Sequence, residues 1–96
     1  MVEIRQTQGL HSLVRQIRDT QARARILTRI RRLALGNPGD VRPVGGGVSE
    51  LRVDYGPGYR VYYVRRGETT VVLLAGGNKN TQDRDITRAL KLARNL

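Results

Sequence analysis

Arginines on two neighbouring predicted strands are the side chains of this sequence best placed to do chemistry. Arg52 and Arg60 each lie on the strand face opposite the flanking apolar residues, so both point to the same side of the predicted sheet. Lys79 and Arg84 come just after the third strand, at the rim of that sheet. Cations gathered in this way suit a phosphate group. Tyr62 shares the parity of Arg60 and offers a ring on which a base can stack. The alternative is that all of them are ordinary solvated residues of an exposed sheet face.

Other kinds of catalytic chemistry find few candidate residues. The chain has no cysteine and a single histidine. That residue, His11, lies on the first predicted helix, and we interpret it as a surface or packing residue. The carboxylates are scattered, so the sequence predicts neither a metal-ligand cluster nor a Ser-His-Asp arrangement. The glycine-rich stretches lack the spacing of a P-loop or a dinucleotide-binding loop. We therefore expect no metal and no cofactor.

The charge of the chain predicts an anionic partner. Eighteen lysines and arginines stand against 8 acidic residues, which gives a net charge of +10 at pH 7. All of the basic residues except Lys79 and Lys91 are arginine, whose planar fork binds phosphate or carboxylate at two points. A GC-rich genome explains part of the arginine-to-lysine ratio but not the excess of base over acid. This charge favours nucleic acid as the partner first and an acidic protein second.

The length and the N-terminus predict a single cytoplasmic domain. A chain of 96 residues suits one domain, residues 1–96. Without cysteine it needs no oxidising compartment. Glu3 and Arg5 stand where a signal peptide has an apolar run, and no stretch is long enough to span a membrane. We therefore expect a cytoplasmic protein that does not contact the membrane.

Hydrophobic periodicity predicts the helices that support the basic face. Residues 2–6 alternate like a strand, and from Leu10 the apolar residues follow helical spacing. Asp19-Thr20 offers a break and a new N-cap, and the second helix closes at Gly36. Two helices joined so closely are expected to form an antiparallel hairpin with arginines outside. These outer arginines are Arg15, Arg18, Arg23, Arg25, Arg29, Arg31 and Arg32.

After a loop rich in glycine and proline at 36–47, the period becomes two. Three strands follow, around 50–55, 59–64 and 70–75, and Gly76-Gly77 ends the last of them. Thr81 can then cap a final helix. The sequence therefore predicts an α+β fold in the order β-α-α-β-β-β-α. Its small, largely antiparallel sheet packs against the N-terminal helical hairpin, and a C-terminal helix completes it.

Two long segments resemble a known toxin family. One begins at Ser49 and reads Ser-Glu-Leu-Arg-Val-Asp-Tyr-Gly-Pro-Gly-Tyr-Arg-Val-Tyr-Tyr; the other begins at Val71 and reads Val-Val-Leu-Leu-Ala-Gly-Gly-Asn-Lys-Asn-Thr-Gln-Asp-Arg-Asp-Ile. Both resemble the addiction module killer protein branch of the RelE/ParE superfamily, which is grouped with phage-derived Gp49-like and HigB-like proteins. The upstream segments Asp19-Thr-Gln-Ala-Arg-Ala-Arg-Ile and Gly36-Asn-Pro-Gly-Asp look like the same branch. The resemblance spans nearly the whole chain.

The resemblance implies the fold described above and the toxin of a bacterial type II toxin–antitoxin system. Relatives of the RelE and HigB kind cut mRNA in the ribosomal A site, whereas relatives of the ParE kind poison DNA gyrase. Arg60 matches the most recurrent phosphate-binding arginine of the RNA-cutting relatives, and Arg52 and Lys79 fall near other basic positions. These three are the expected catalytic residues, with Lys79 as the candidate for proton transfer. Arg84 and Tyr62 are the expected RNA-binding residues.

The resemblance leaves the target and the general base open. The sequence has no C-terminal tyrosine or histidine of the kind that some RNA-cutting relatives use, so no base is assigned. We expect a metal-independent mRNA endoribonuclease that acts on the ribosome. One alternative is a non-enzymatic inhibitor of DNA gyrase or another protein, which would work through the arginine-rich hairpin. Another is a protein that has lost toxicity and keeps only antitoxin binding and DNA corepression. In each case the expected partner is a helix-turn-helix antitoxin, in a toxin–antitoxin hetero-oligomer.

Overall fold

Five strands form one mixed sheet, with helices on both of its faces. The computed structural model describes residues 2–96. Its elements are β1 (Glu3–Gln6), α1 (Gln8–Gln16), α2 (Thr20–Ala34), β2 (Val41–Gly45), β3 (Val48–Val53), β4 (Tyr59–Arg66), β5 (Thr70–Asn78), one 3-10 turn (Lys79–Thr81) and α3 (Gln82–Arg94). The strands lie in the order β1-β5-β4-β3-β2. β1 runs parallel to β5, and every other neighbouring pair is antiparallel. The α+β fold class is confirmed.

Side-chain caps set the start of the first two helices. The hydroxyl of Thr7 accepts a hydrogen bond from the backbone N–H of Leu10, and Asp19 caps α2 as predicted. Gly36, with φ +90°, allows the chain to leave α2. The buried apolar residues of α1 and α2 are Leu10, Ala22, Ile26 and Leu33. Within residues 2–96, no helix is both long enough and apolar enough to cross a membrane.

The segment predicted as a loop, 36–47, contains a strand that the prediction missed. β2 pairs with β3 at the edge of the sheet, where Pro43 is tolerated because an edge strand has one side without a partner. Gly46 and Gly47 both have positive φ (+60° and +79°), as a two-residue hairpin turn requires. Gly46-Gly47, between Gly45 and Val48, was therefore a hairpin signal. The prediction missed it because the whole segment is rich in glycine and proline.

The prediction that Gly76 and Gly77 end the last strand is wrong, because β5 continues to Asn78. They are needed for close packing on both faces of the sheet. A Cβ on Gly76 would lie 2.8 Å from Leu13 Cδ2 of α1. A Cβ on Gly77 would overlap the carboxylate of Asp85 in α3. Glycine at these positions therefore lets the two helices approach the same end of β5.

Each face of the sheet has its own hydrophobic core. Helices α1 and α2 cover one face, as predicted for the helical hairpin. Helix α3 covers part of the opposite face, where Tyr62 and Val64 pack with Ala89 and Ala93. The sequence predicted α3 but not the face to which it binds. Arg52 and Arg60 point to this second face, at the end that α3 leaves open to solvent.

Candidate functional site

The three predicted catalytic residues line one concave site at the open end of the sheet. Arg52 comes from β3, Arg60 from β4, and Lys79 from the turn that follows β5. The concavity has a volume of about 300 Å³. Its remaining lining residues are Asp40, Val53, Asp54 and Gly58. Strand pairing thus brings Arg52 and Lys79, which are 27 residues apart in the sequence, to the same site.

Arg52 and Arg60 are direct cross-strand neighbours, and a carboxylate offsets part of their repulsion. Two like charges facing each other across antiparallel strands are destabilising. Asp40 Oδ1 accepts hydrogen bonds from Arg52 Nη2 at 2.7 Å and from Arg52 Nε at 3.1 Å. The hydrogen bond from Arg52, with the charges of Arg52, Arg29 and Arg60, lowers the pKa of Asp40 below its usual value. Asp40 is therefore a carboxylate near neutral pH and fixes one edge of the Arg52 guanidinium, while Nη1 takes no part in this ion pair.

Arg29 of α2 holds this corner of the site in place. Its Nη1 donates to the carbonyl of Arg52 at 2.6 Å, and its Nη2 donates to the carbonyls of Pro38 and Asp40 at 3.0 and 3.3 Å. The backbone N–H of Arg52 donates to the carbonyl of Asp40 at 2.9 Å. Gly39 lies against this guanidinium: a Cβ there would be 3.0 Å from Arg29 Nη2. The prediction that Arg29 is an outer-face arginine is wrong, because its side chain turns toward β3 and the loop before β2.

Arg60 lacks a partner for one buried donor. Its Nε is buried and has no hydrogen-bond partner among the residues that the structure describes. A buried donor without an acceptor costs about 1–3 kcal/mol. Arg60 lines the concave site together with Arg52 and Lys79. An anion bound there would supply an acceptor and neutralise charge at the same time.

Lys79 is held by a turn with its own side-chain bonds. It is an exposed residue that begins the 3-10 turn after β5. Asn78 caps this turn by accepting from the backbone N–H of Asn80 at 2.8 Å, and Thr81 accepts from the N–H of Asn78 at 3.1 Å. Gly58, with φ +81°, allows the β3–β4 connection to lie against the Lys79 side chain. The turn thus positions the backbone of Lys79, and among the described residues its ammonium group has no carboxylate within 4.0 Å.

The prediction that Tyr62 stacks on a base is wrong, because the residue is fully buried. Tyr62 does share the face of Arg60, but α3 covers it there. Its hydroxyl donates to Glu50 Oε2 at 2.9 Å. Glu50 also accepts from Gln82 Nε2 at 2.7 Å and from Arg42 Nε at 3.2 Å. Burial, with the neighbouring Glu50 carboxylate, raises the pKa of Tyr62 well above its usual value. This buried polar cluster joins the sheet to α3 and is closed to a ligand.

Arg84 lies outside the site formed by Arg52, Arg60 and Lys79. Its side chain is 78% exposed on the first turn of α3, and its Nε lies 3.6 Å from Asp85 Oδ1. It shares a separate, adjoining depression with Lys79. The two predicted RNA-binding residues therefore differ: Arg84 is accessible next to the site, and Tyr62 is not.

The sequence interpretation missed two carboxylates of the site, Asp40 and Asp54. Asp54 falls within the strand predicted around 50–55 and was given no role there, although it lies on the wall of the site. Asp40 belongs to the loop before β2, and no periodic pattern connects a loop residue with a strand twelve residues away. Across residues 2–96, no group of three or more histidine, aspartate or glutamate side chains is arranged to hold a metal ion.

Two comparisons relate this chain to known proteins. The family model described as "Phage derived protein Gp49-like (DUF891)" matches residues 16–96. That range contains α2, α3, every residue of the concave site, and strands β2 to β5; β1 lies outside it. A protein of Haemophilus influenzae (strain ATCC 51907 / DSM 11121 / KW20 / Rd), called "Uncharacterized protein", is 43% identical over 95 residues. The alignment covers 99% of this chain and 96% of that protein.

Proposed function

The chain belongs to the phage-derived Gp49-like family, a toxin-like family of the RelE type, and we propose that it is the endoribonuclease toxin of a bacterial type II toxin–antitoxin pair. Within that type we assign it to the RNA-cutting, HigB-like branch, with mRNA on the ribosome as the substrate. The observation that carries this proposal is the meeting of Arg52, Arg60 and Lys79 in one concavity, where Arg60 Nε lacks an acceptor. A phosphodiester group matches both the charge and the missing acceptor.

The reaction we propose is transfer within the RNA backbone. The ribose 2′-OH attacks the adjacent phosphorus and the bond to the 5′ oxygen breaks, which leaves a 2′,3′-cyclic phosphate and a free 5′-OH. Arg60 and Arg52 stabilise the charge that grows on the phosphate oxygens, a role worth about 10²–10³ in rate per donor. Lys79 donates a proton to the departing 5′ oxygen.

The carboxylates of the site suggest a group that accepts the 2′-OH proton. Asp40 is engaged with Arg52 and has a lowered pKa, so it is a weak base. Asp54 is exposed on the same wall. We assign the base role to Asp54. Asp54→Asn is then expected to lower the cleavage rate by about 10²-fold or more, with an unchanged melting temperature; full activity of this variant would remove the assignment.

A second candidate function rests on the outer face of α2. Leu27 and Leu35 are 51% and 59% exposed, which is unusual for large apolar side chains. Arg31 and Arg32 are exposed on the same helix. An apolar surface with this charge suits a protein partner, either a target such as DNA gyrase or the antitoxin. The family implies an antitoxin partner; we propose that it carries a helix-turn-helix domain and forms a hetero-oligomer with this chain in the cytoplasm.

One experiment separates the two candidates. The chain is induced briefly in a bacterial host without its antitoxin, and transcripts are mapped by primer extension. We expect growth arrest and cuts within translated codons, both abolished by Arg60→Ala. Arg65→Ala, on the same strand but outside the site, is the matched control and is expected to stay toxic. The opposite outcome is growth arrest with intact transcripts and damaged DNA. If Arg31→Ala abolishes that arrest and Arg60→Ala does not, α2 is the surface that binds the target.

A further inference from the structure

Two further concavities with basic lining residues lie beside the concave site, at the start of α3. The depression beside the site is lined by Lys79 and Arg84, and Lys79 also lines the site itself. Arg84 in turn lines a groove of about 290 Å³ between α1 and α3, which we call the α1–α3 groove. The other residues of this groove are Gly9, Ser12, Leu13, Gln16, Ala75, Gly76, Asp85 and Arg88. Lys79 therefore borders the first two concavities, and Arg84 borders the second and the third.

The α1–α3 groove exists because β5 is longer than its neighbour. β1 pairs with Thr70–Leu73, and within residues 2–96 no strand pairs with that side of β5 from Leu74 onward. Ala75 and Gly76 form the floor of the groove at this point, and α1 and α3 form its walls.

The walls of the groove carry positive charge and neutral polar groups. Arg84 and Arg88 are one helical turn apart on α3 and are both exposed. Arg88 Nη2 lies close to Gly9, where a Cβ would be 2.9 Å away, so this guanidinium reaches across the groove to α1. In the part of the chain that the structure describes, Arg88 has no carboxylate partner within 4.0 Å. Among the described residues, the acidic residue that lines the groove is Asp85, which is buried and accepts a hydrogen bond from Thr81. Its Oδ1 lies 3.6 Å from Arg84 Nε.

We propose that the α1–α3 groove binds a second phosphodiester of RNA, next to the one held by Arg60. Arg84 and Arg88 bind its phosphate, and Ser12 and Gln16 offer neutral hydrogen-bonding groups from α1. This inference rests on the proposed function and deepens it, because it gives the RNA a path from Arg60 past Lys79 to Arg88. The phosphate can come from the message that is cut or from ribosomal RNA beside it.

Salt dependence of ribosome binding tests the groove. Affinity for RNA falls as salt rises, and each phosphate contact that is lost reduces the steepness of log affinity against log salt concentration by about 0.7–0.9. The variant Arg84→Gln/Arg88→Gln is compared with Lys91→Gln/Arg94→Gln, which removes the same charge from the exposed last turn of the same helix. Binding to purified ribosomes is measured by co-sedimentation over a salt series, with thermal melting of each variant. Since both arginines bind one phosphate, we expect the slope to fall by about 0.7–0.9 in the groove variant and to remain unchanged in the control.

The outcomes distinguish the groove from the function on which it rests. A reduced slope only on ribosomes carrying mRNA in the A site assigns the phosphate to the message, and a reduced slope on empty ribosomes assigns it to ribosomal RNA. If the groove variant and the control have equal slopes while Arg60→Ala still abolishes cleavage, the groove proposal is wrong and the proposed function stands. If the unaltered protein neither binds ribosomes nor cuts mRNA, both proposals fail.

Discussion

Removing the Arg29 side chain should destabilise the protein far more than removing its neighbours on α2. Arg29 donates to three carbonyls, at 2.6, 3.0 and 3.3 Å, on β3 and on the loop before β2. A hydrogen bond from a charged donor contributes about 1.5–3 kcal/mol. The longest of the three is exposed and the other two are only partly buried, so we expect Arg29→Ala to lower the free energy of unfolding by about 2–3 kcal/mol. For a chain of this size, that corresponds to a fall in melting temperature of about 10–20 °C.

The assay is urea denaturation followed by circular dichroism, with Arg32→Ala as the matched control. Arg32 is three residues further along α2 and is exposed, so its removal should change stability by less than about 0.5 kcal/mol. Arg29→Lys should recover part of the loss, because an ammonium group keeps the charge but cannot form the same planar fork. Equal stability of Arg29→Ala and Arg32→Ala would refute the view that Arg29 ties the loop to β3.

The same variant has a second consequence for the concave site. Arg29 fixes the carbonyls of Arg52 and Asp40, and these two residues form the ion pair at the edge of the site. At a temperature where Arg29→Ala is fully folded, we expect a lower kcat for RNA cleavage with a smaller change in KM. A variant that is folded and cleaves at the normal rate would show that the geometry of Arg52 does not depend on Arg29.

Three further predictions concern single positions. Arg60→Ala should change the free energy of unfolding by less than about 1 kcal/mol yet abolish RNA cleavage, and Arg60→Lys should restore only part of the activity; full toxicity of a folded Arg60→Ala would remove the site. Gly77→Ala should lower the free energy of unfolding by at least about 2 kcal/mol in urea denaturation, since the new Cβ overlaps Asp85. An unaltered free energy of unfolding would mean that α3 can shift to make room for the methyl group. Titration of Glu50 should make the melting temperature of the protein fall in acid. Burial raises the pKa of Glu50, but its hydrogen bonds from Gln82, Tyr62 and Arg42 outweigh burial and leave the pKa below the usual 4.5. Its stabilisation is therefore complete above pH 4.5 and is lost as the pH falls below that value. Glu50→Gln should remove much of this dependence, and an unchanged acid transition in that variant would assign it to other carboxylates.

Local patterns predicted the three helices, four of the five strands and the direction of the strand side chains. Asp19 caps α2 because its side chain can accept from the backbone two and three residues ahead, an interaction that the sequence itself contains. The parity of Arg52 and Arg60 follows from the period of two in a strand, and the structure places them as direct partners. Such features depend on nearby residues, and a single sequence is enough to predict them.

Contacts between distant segments were not predictable in the same way. Arg29 has the same spacing and composition around it as the exposed arginines of α2, and only the position of the loop at Pro38 and Asp40 distinguishes it. Tyr62 has the parity of Arg60, but its burial depends on where α3 packs. Periodicity specifies which residues share a face, whereas it does not specify which part of that face a later helix covers.

The start of α3 decides which residues of the second sheet face can act on a ligand. Along β4, Arg60 and Tyr62 are two residues apart on one face, yet the first lines an open concavity and the second is fully buried. The boundary between them lies where Gln82, the first residue of α3, donates to Glu50 opposite Tyr62. Gly77 pairs with Arg60 and admits the carboxylate of Asp85, so it holds the first turn of α3 against the same end of β5. The same contacts that stabilise the second core therefore limit the basic site to the end of the sheet where Arg52, Arg60 and Lys79 meet.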